Sequence, residues 1–181
     1  VELEPDNKWF RLKLAEVYRR AGRNQATLEE LEKTLEYHPQ AGDVLATLAE
    51  TYASYGKLLE SNKAYNLLLK VSGENISIRL QKLRNFNKLG LRDSSIAELQ
   101  KIRRLDPDNL ATMHTLSNYY LEINRADEAK LILKSALEKN RRDPKTLIML
   151  ADIYANESKW DSVGTLLGNV VTDPIINAEA K

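Results

Sequence analysis

The sequence predicts an all-α fold, a solenoid of stacked helix-turn-helix repeats, on three observations. An aromatic residue recurs at Tyr18, Tyr52, Phe86, Tyr120 and Tyr154, each 34 residues after the last. A fixed period of roughly 20 to 50 residues marks a repeat array. Around that ruler apolar residues fall at spacings of three and four, as in Leu45-Leu48-Ala49-Tyr52 and Leu133-Ala136-Leu137, the pattern of helices that bury one face. Four residues past each aromatic stand Gly22, Gly56, Gly90, Asn124 and Ser158, types that tolerate a left-handed backbone or cap the next helix.

The repeats read 8–41, 42–75, 76–109, 110–143 and 144–177 with no insertion, and constant length lets a stack present the same interface at every step. Each holds a first helix of about 14 residues and a second of about 13, closed by a breaker. The first repeat carries Arg11, Leu14 and Ala15 ahead of its aromatic, then Leu31, and stops at Pro39. In the second these places hold Leu45, Leu48, Ala49 and Tyr65, with Gly73 as the stop. The third has Arg79, Lys82, Leu83 and Leu99, stopped by Pro107. Met113, Leu116, Ser117 and Leu133 build the fourth, and Leu147, Leu150, Ala151 and Leu167 the fifth. Residues 1–7 read as the tail of a preceding repeat, because Leu3-Glu4-Pro5-Asp6-Asn7 matches Leu105-Asp106-Pro107-Asp108-Asn109 three periods on. Past Asp173-Pro174, residues 178–181 read as the start of a following helix or a cap. An end repeat without a neighbour bares apolar surface, so self-association through the repeat ends is an expectation.

These columns resemble the tetratricopeptide repeat family, whose 34-residue pattern runs Trp, Leu-Gly, Tyr, then Ala, Phe and Pro. The resemblance covers nearly the whole chain. It departs at the first Trp, which no repeat has, and at the central Ala, which is Thr27, Ser61, Ser95, Ala129 and Val163 here. The resemblance implies a right-handed α-α superhelix with the first helices lining a concave groove for an extended peptide or partner helix. A pentatricopeptide RNA reader would need 35-residue repeats and a basic groove, so nucleic acid is not an expected partner.

Steps of 100° along each first helix select the residues that face away from the core. The candidate peptide-binding groove is Lys13, Glu16 and Arg20, then Thr47 and Glu50, then Leu80, Gln81, Arg84 and Lys88, then His114, Asn118 and Glu122, then Met149 and Asp152. Mixed signs along this lining disfavour a simple polyanion. Nor does it reproduce the carboxylate clamp of tetratricopeptide co-chaperones: counted from the third repeat, the clamp places hold Leu80, Arg84, Thr115, Lys145 and Met149. The third repeat has 8 Lys+Arg against 4 Asp+Glu, and its Lys82 fills a column that is Leu in the other four. The expectation is that Lys82 lays its methylenes along the seam with its ammonium in water, since an unpaired buried Lys is costly. The sharper reading sends Arg84 and Lys88, one turn apart, to an acidic group on a partner. Trp160 is expected to pack behind its turn. Trp9 is divided between a seam that an upstream repeat would cover and ligand contact.

The function classes narrow by what is missing. With no Cys and only His38 and His114, which lie in different repeats without companion ligands, neither a metal centre nor a nucleophile with its base is expected. The remaining carboxylates read as helix surface, Glu29 and Lys33 among the spaced pairs. Cofactors are not expected, and with a net charge of +1 and no apolar run near about 18 residues, neither is direct membrane insertion. The compartment stays open, cytoplasmic by default and periplasmic for an exported parent. The expected activity is a non-enzymatic protein-protein interaction scaffold within a longer repeat protein. The alternative is a structural spacer or assembly platform of a bacterial envelope or organelle system, working through the convex face or the repeat ends.

Overall fold

The structure, a computed structural model, describes residues 6–172. Residues 1–5 of the expected preceding tail and the expected closing segment from 173 onward lie outside the described residues. Every element among the described residues is a helix, connected by short turns: α1 Lys8–Arg20, α2 Asn24–Tyr37, α3 Gly42–Ser54, α4 Leu58–Ser72, α5 Ile76–Lys88, α6 Arg92–Leu105, α7 Leu110–Glu122, α8 Ala126–Lys139, α9 Pro144–Asn156 and α10 Trp160–Thr172. They form two compact units, Val1–Glu98 and Leu99–Lys181, the division falling inside α6.

In the N-terminal unit α1 pairs with α2 and α3 with α4, while α2 packs on α3 and α4 on α5. Its core is Leu28, Leu31, Val44, Leu45, Leu48, Ala49, Ala64 and Tyr65. The C-terminal unit repeats the arrangement, α7 with α8, α8 with α9 and α9 with α10, around Met113, Leu116, Leu133, Ala136, Leu147 and Leu150. Both units are therefore stacks of helical hairpins, the architecture of an all-α solenoid.

Each first helix ends the same way. The backbone turns left-handed at Gly22, Gly56 and Gly90 (φ 69°, 77° and 69°), and also at Asn124 and Ser158 (φ 60° and 59°), so one register carries the turn whether or not glycine fills it. Helix starts keep a register as well. The side chains of Asn7, Asn75, Asn109 and Asp143 accept backbone N–H groups of the first turn, and Ala41 in the same register cannot. The small central column is buried at Thr27, Ser61, Ser95 and Ala129, where a larger side chain would push the paired helices apart.

The aromatic ruler gains a second layer. A cation five residues on covers the ring: Lys57 over Tyr52, Arg125 over Tyr120 and Lys159 over Tyr154, at 6.0, 5.0 and 5.9 Å from the centroid. Two ruler hydroxyls also meet the helix before them, Tyr52 donating to Glu32 and Tyr120 accepting from Gln100 Nε2 at 2.6 Å. Phe86 has no hydroxyl, and Leu91 stands where the cation would be.

Three expectations are corrected here. The Lys82 ammonium is not in water: the residue is 3% exposed, and Nζ donates to Glu98 Oε1 at 2.6 Å while Arg79 Nη1 donates to Glu98 Oε2 at 2.8 Å. Buried Glu30, held by Arg11, occupies the same register as Glu98, so these carboxylates are not helix surface. In the neighbouring repeats that register pairs Leu45 with Ala64 and Met113 with Ile132. A charge there occurs with its counter-charge or not at all, as the cost of an unpaired buried ion requires. Trp160 does not pack. It is the first residue of α10 and 65% exposed.

Candidate functional site

In the N-terminal unit the groove residues sit on α1, α3 and α5. Lys13, Arg20, Thr47, Glu50, Leu80, Gln81, Arg84 and Lys88 are exposed, and Glu16 is half-buried. Glu16 accepts from Lys13 Nζ at 3.0 Å and from Arg20, and these bonds and charges hold its carboxyl below the usual range. Three of the mixed charges of the lining are thus paired within α1, with one positive charge left over. Thr47 and Thr51 spend their hydroxyl hydrogens on carbonyls one turn back, at 2.8 and 2.7 Å. Among the described residues Arg84 donates to the amide oxygen of Gln81, at 3.4 Å, and meets no carboxylate.

Two features give this face its shape. Leu12, Ala15, Glu16, Arg19, Leu31, Thr47 and Thr51 enclose a cleft of about 260 Å³. Glu50 and Arg84 both act on the buried Tyr65 of α4: burial pushes the phenol pKa up, Glu50 adds to the rise and Arg84 opposes it. Asn85 Nδ2 donates to Ser61 Oγ and Asn62 Oδ1, both at 2.9 Å, which holds α5 to α4 through a satisfied polar seam. Arg19 was not selected from the sequence. It follows the Lys13 and Glu16 spacing of three, the signal that could have found it.

In the C-terminal unit Asn118, Glu122 and Asp152 are exposed and Met149 is half-buried. His114 is a correction. It is 4% exposed, with Nε2 2.7 Å from Thr146 Oγ1 and 3.1 Å from Asp143 Oδ2, so it fastens α7 to the start of α9 and is not open to a ligand. Thr146 gives its hydroxyl hydrogen to Asp143 Oδ2 at 2.5 Å, which assigns His114 Nε2 as the donor to Thr146. Burial pushes the imidazole pKa down, Asp143 pulls it up and Lys145 lowers it, the net being a pKa below the ordinary value. Asp152 lines a second cleft of about 350 Å³ with Leu121, Asn124, Asn156 and Glu157. Trp9 is 68% exposed with the Lys8 ammonium 4.9 Å from its ring centroid. Among the described residues no group of three His, Asp or Glu could hold a metal, and no helix is long and apolar enough to cross a membrane.

Residues 90–153 match the sequence model of the tetratricopeptide repeat family. No curated protein matches the chain. Among solved structures the chain is similar to MamA, with 13% identity and a TM-score of 0.60 over 92% of this chain and 97% of that one. YrrB, described as a tetratricopeptide protein with an unusual peptide-binding site, is 14% identical with a TM-score of 0.58 over 98% and 93%. A tetratricopeptide repeat protein from Parabacteroides merdae is 16% identical with a TM-score of 0.58 over 93% and 69%. At these identities the likeness is one of fold.

Proposed function

We propose, on the premise that residues 90–153 are tetratricopeptide in sequence and that the chain shares the fold of tetratricopeptide repeat proteins, that this protein is a non-enzymatic scaffold binding a peptide or protein segment along its first helices. The repeats in this reading are 8–41, 42–75, 76–109, 110–143 and 144–177. One observation carries it: first helices in both units bury one face and leave polar residues exposed at matching positions, Thr47, Gln81 and Arg84 in one, Asn118 and Asp152 in the other. Such a surface is formed before its ligand arrives, so little ordering cost falls on binding. Arg84 and Lys88 meet no carboxylate among the described residues, which suits them to an acidic group.

The test is a partner captured from the source cells and then titrated as a purified segment against the full chain. Arg84→Glu with Lys88→Glu is expected to weaken it about tenfold or more. Unchanged affinity would remove these cations from the site. Unchanged affinity after Thr47→Trp and Asn118→Trp, which block both faces, would remove the groove itself.

A second reading, an assembly platform working through the repeat ends, has its own observation. Phe10, Leu14 and Val17 on α1 are 51%, 38% and 59% exposed, whereas Val44, Leu48 and Thr51 in the same registers of α3, which packs on α2 and α4, are buried. Phe10→Glu with Val17→Lys should abolish concentration-dependent light scattering if this face joins copies. Scattering that survives the change sinks that reading.

A further inference from the structure

We infer that the C-terminal unit carries a second binding site, on the second-helix side, for an acidic peptide segment bearing an aliphatic residue beside its carboxylate. The site is the cleft of about 440 Å³ between the end of α6, α7 and α8. That volume lies within the roughly 300–1,000 Å³ of small-ligand pockets. Its floor is apolar, made by Leu116 and Ile132, both buried, with Pro107 beside them. Its charged wall is Arg103 and Arg104.

The electrostatics of that wall are unbalanced. Arg103 donates to Ser135 Oγ at 3.3 Å, and neither guanidinium meets a carboxylate among the described residues. The acids closest in sequence are engaged elsewhere: Asp106 accepts from Asn109 at 3.0 Å and Asp108 pairs with Lys139 at 2.6 Å. Arg11 and Arg79, by contrast, each have an internal Glu. A third group points the same way. Tyr120 is 5% exposed and lines the cleft; its oxygen accepts from Gln100, while its own hydrogen has no acceptor among the described residues. Two forked cations and a buried hydroxyl donor suit a carboxylate, which accepts bidentate bonds at both oxygens. The apolar floor distinguishes a peptide from a bare anion, because an aliphatic side chain covers the exposed Pro107 ring and packs on the edge of Ile132 as the charges pair.

This site lies between two second helices and the buried side of α7, and it stands whether or not the exposed first-helix groove binds anything. The test is heteronuclear NMR on the labelled full chain, titrated with acetyl-Leu-Glu-Glu-amide. Saturable shifts are expected at Gln100, Arg103, Arg104 and Tyr120 and at the Ile132 methyls. Affinity should fall about tenfold or more in Arg103→Glu with Arg104→Glu, and severalfold in Tyr120→Phe. If the double variant misfolds, the wild-type shift map and Arg104→Gln decide. Equal shifts with inorganic phosphate, equal shifts with acetyl-Leu-Lys-Lys-amide, or shifts confined to the exposed faces of α7 and α9 would each overturn the inference.

Discussion

Glu98 accepts bonds from Arg79 and Lys82 in the interior of the N-terminal unit, with Glu74 taking a further Arg79 bond at 2.6 Å. Removing the shared acid takes a carboxylate from two buried cations, Arg79 keeping its bond to Glu74. Glu98→Ala is expected to cost about 3–5 kcal/mol in urea unfolding. The change Arg79→Leu, Lys82→Leu and Glu98→Ala copies the Leu45, Leu48 and Ala64 of the second repeat and should recover most of that loss. A single-variant loss under about 1 kcal/mol would mean that water reaches the cluster. His114 gives a pH signature at the same scale. Its folded pKa is depressed, so the folded state takes up its proton less readily than the unfolded chain. Its contribution is whole above the ordinary value of 6.5 and is lost as pH falls from there through the folded pKa. Asp143 is also depressed: burial would raise it, but the Thr146 bonds and His114 outweigh that. Its contribution is present above 3.8 and lost as pH falls through its folded value. His114→Phe should flatten the stability profile just below pH 6.5. A slope there unchanged by the substitution would contradict the assignment.

At the scale of the element, the turn register is where chain and structure agree most closely. A left-handed backbone is a local demand that few residue types meet cheaply, so Gly22, Gly56, Gly90 and Asn124 advertise it in the sequence. Nothing lies within 4 Å of a Cβ added at Gly56, so Gly56→Ala pays only the backbone conformation, about 1 kcal/mol. Ser158→Gly relieves the same conformation and should raise the melting temperature of its hairpin. A lower melting temperature for Ser158→Gly would place the favourable term in the serine side chain. The cap register was harder to see, because Ala41 interrupts it.

For the whole molecule, stacked hairpins make stability depend on neighbours. Only Ala15 is buried on α1, whereas Val44, Leu45, Leu48, Ala49 and Thr51 are buried on α3, which has helices packed on both sides. Amide hydrogens of α3 should therefore exchange at least about tenfold more slowly than those of α1 under native conditions. Equal protection would indicate that the N-terminal unit opens as one block.

Helices, turns and the buried apolar columns could be read along the chain, because each is set by residues within a turn or two of one another and the period repeats the evidence. The exposed part of the candidate groove followed from the same 100° steps. The fates of Lys82 and His114 could not be read that way, since Glu98 and Thr146 stand 16 and 32 residues further on. The cleft at Arg103, Arg104 and Tyr120 likewise exists only once α6, α7 and α8 are packed. A helical window spans about four residues, so which charge is neutralised, which polar side chain is buried and which cation has no internal carboxylate are decided by the helix packed alongside.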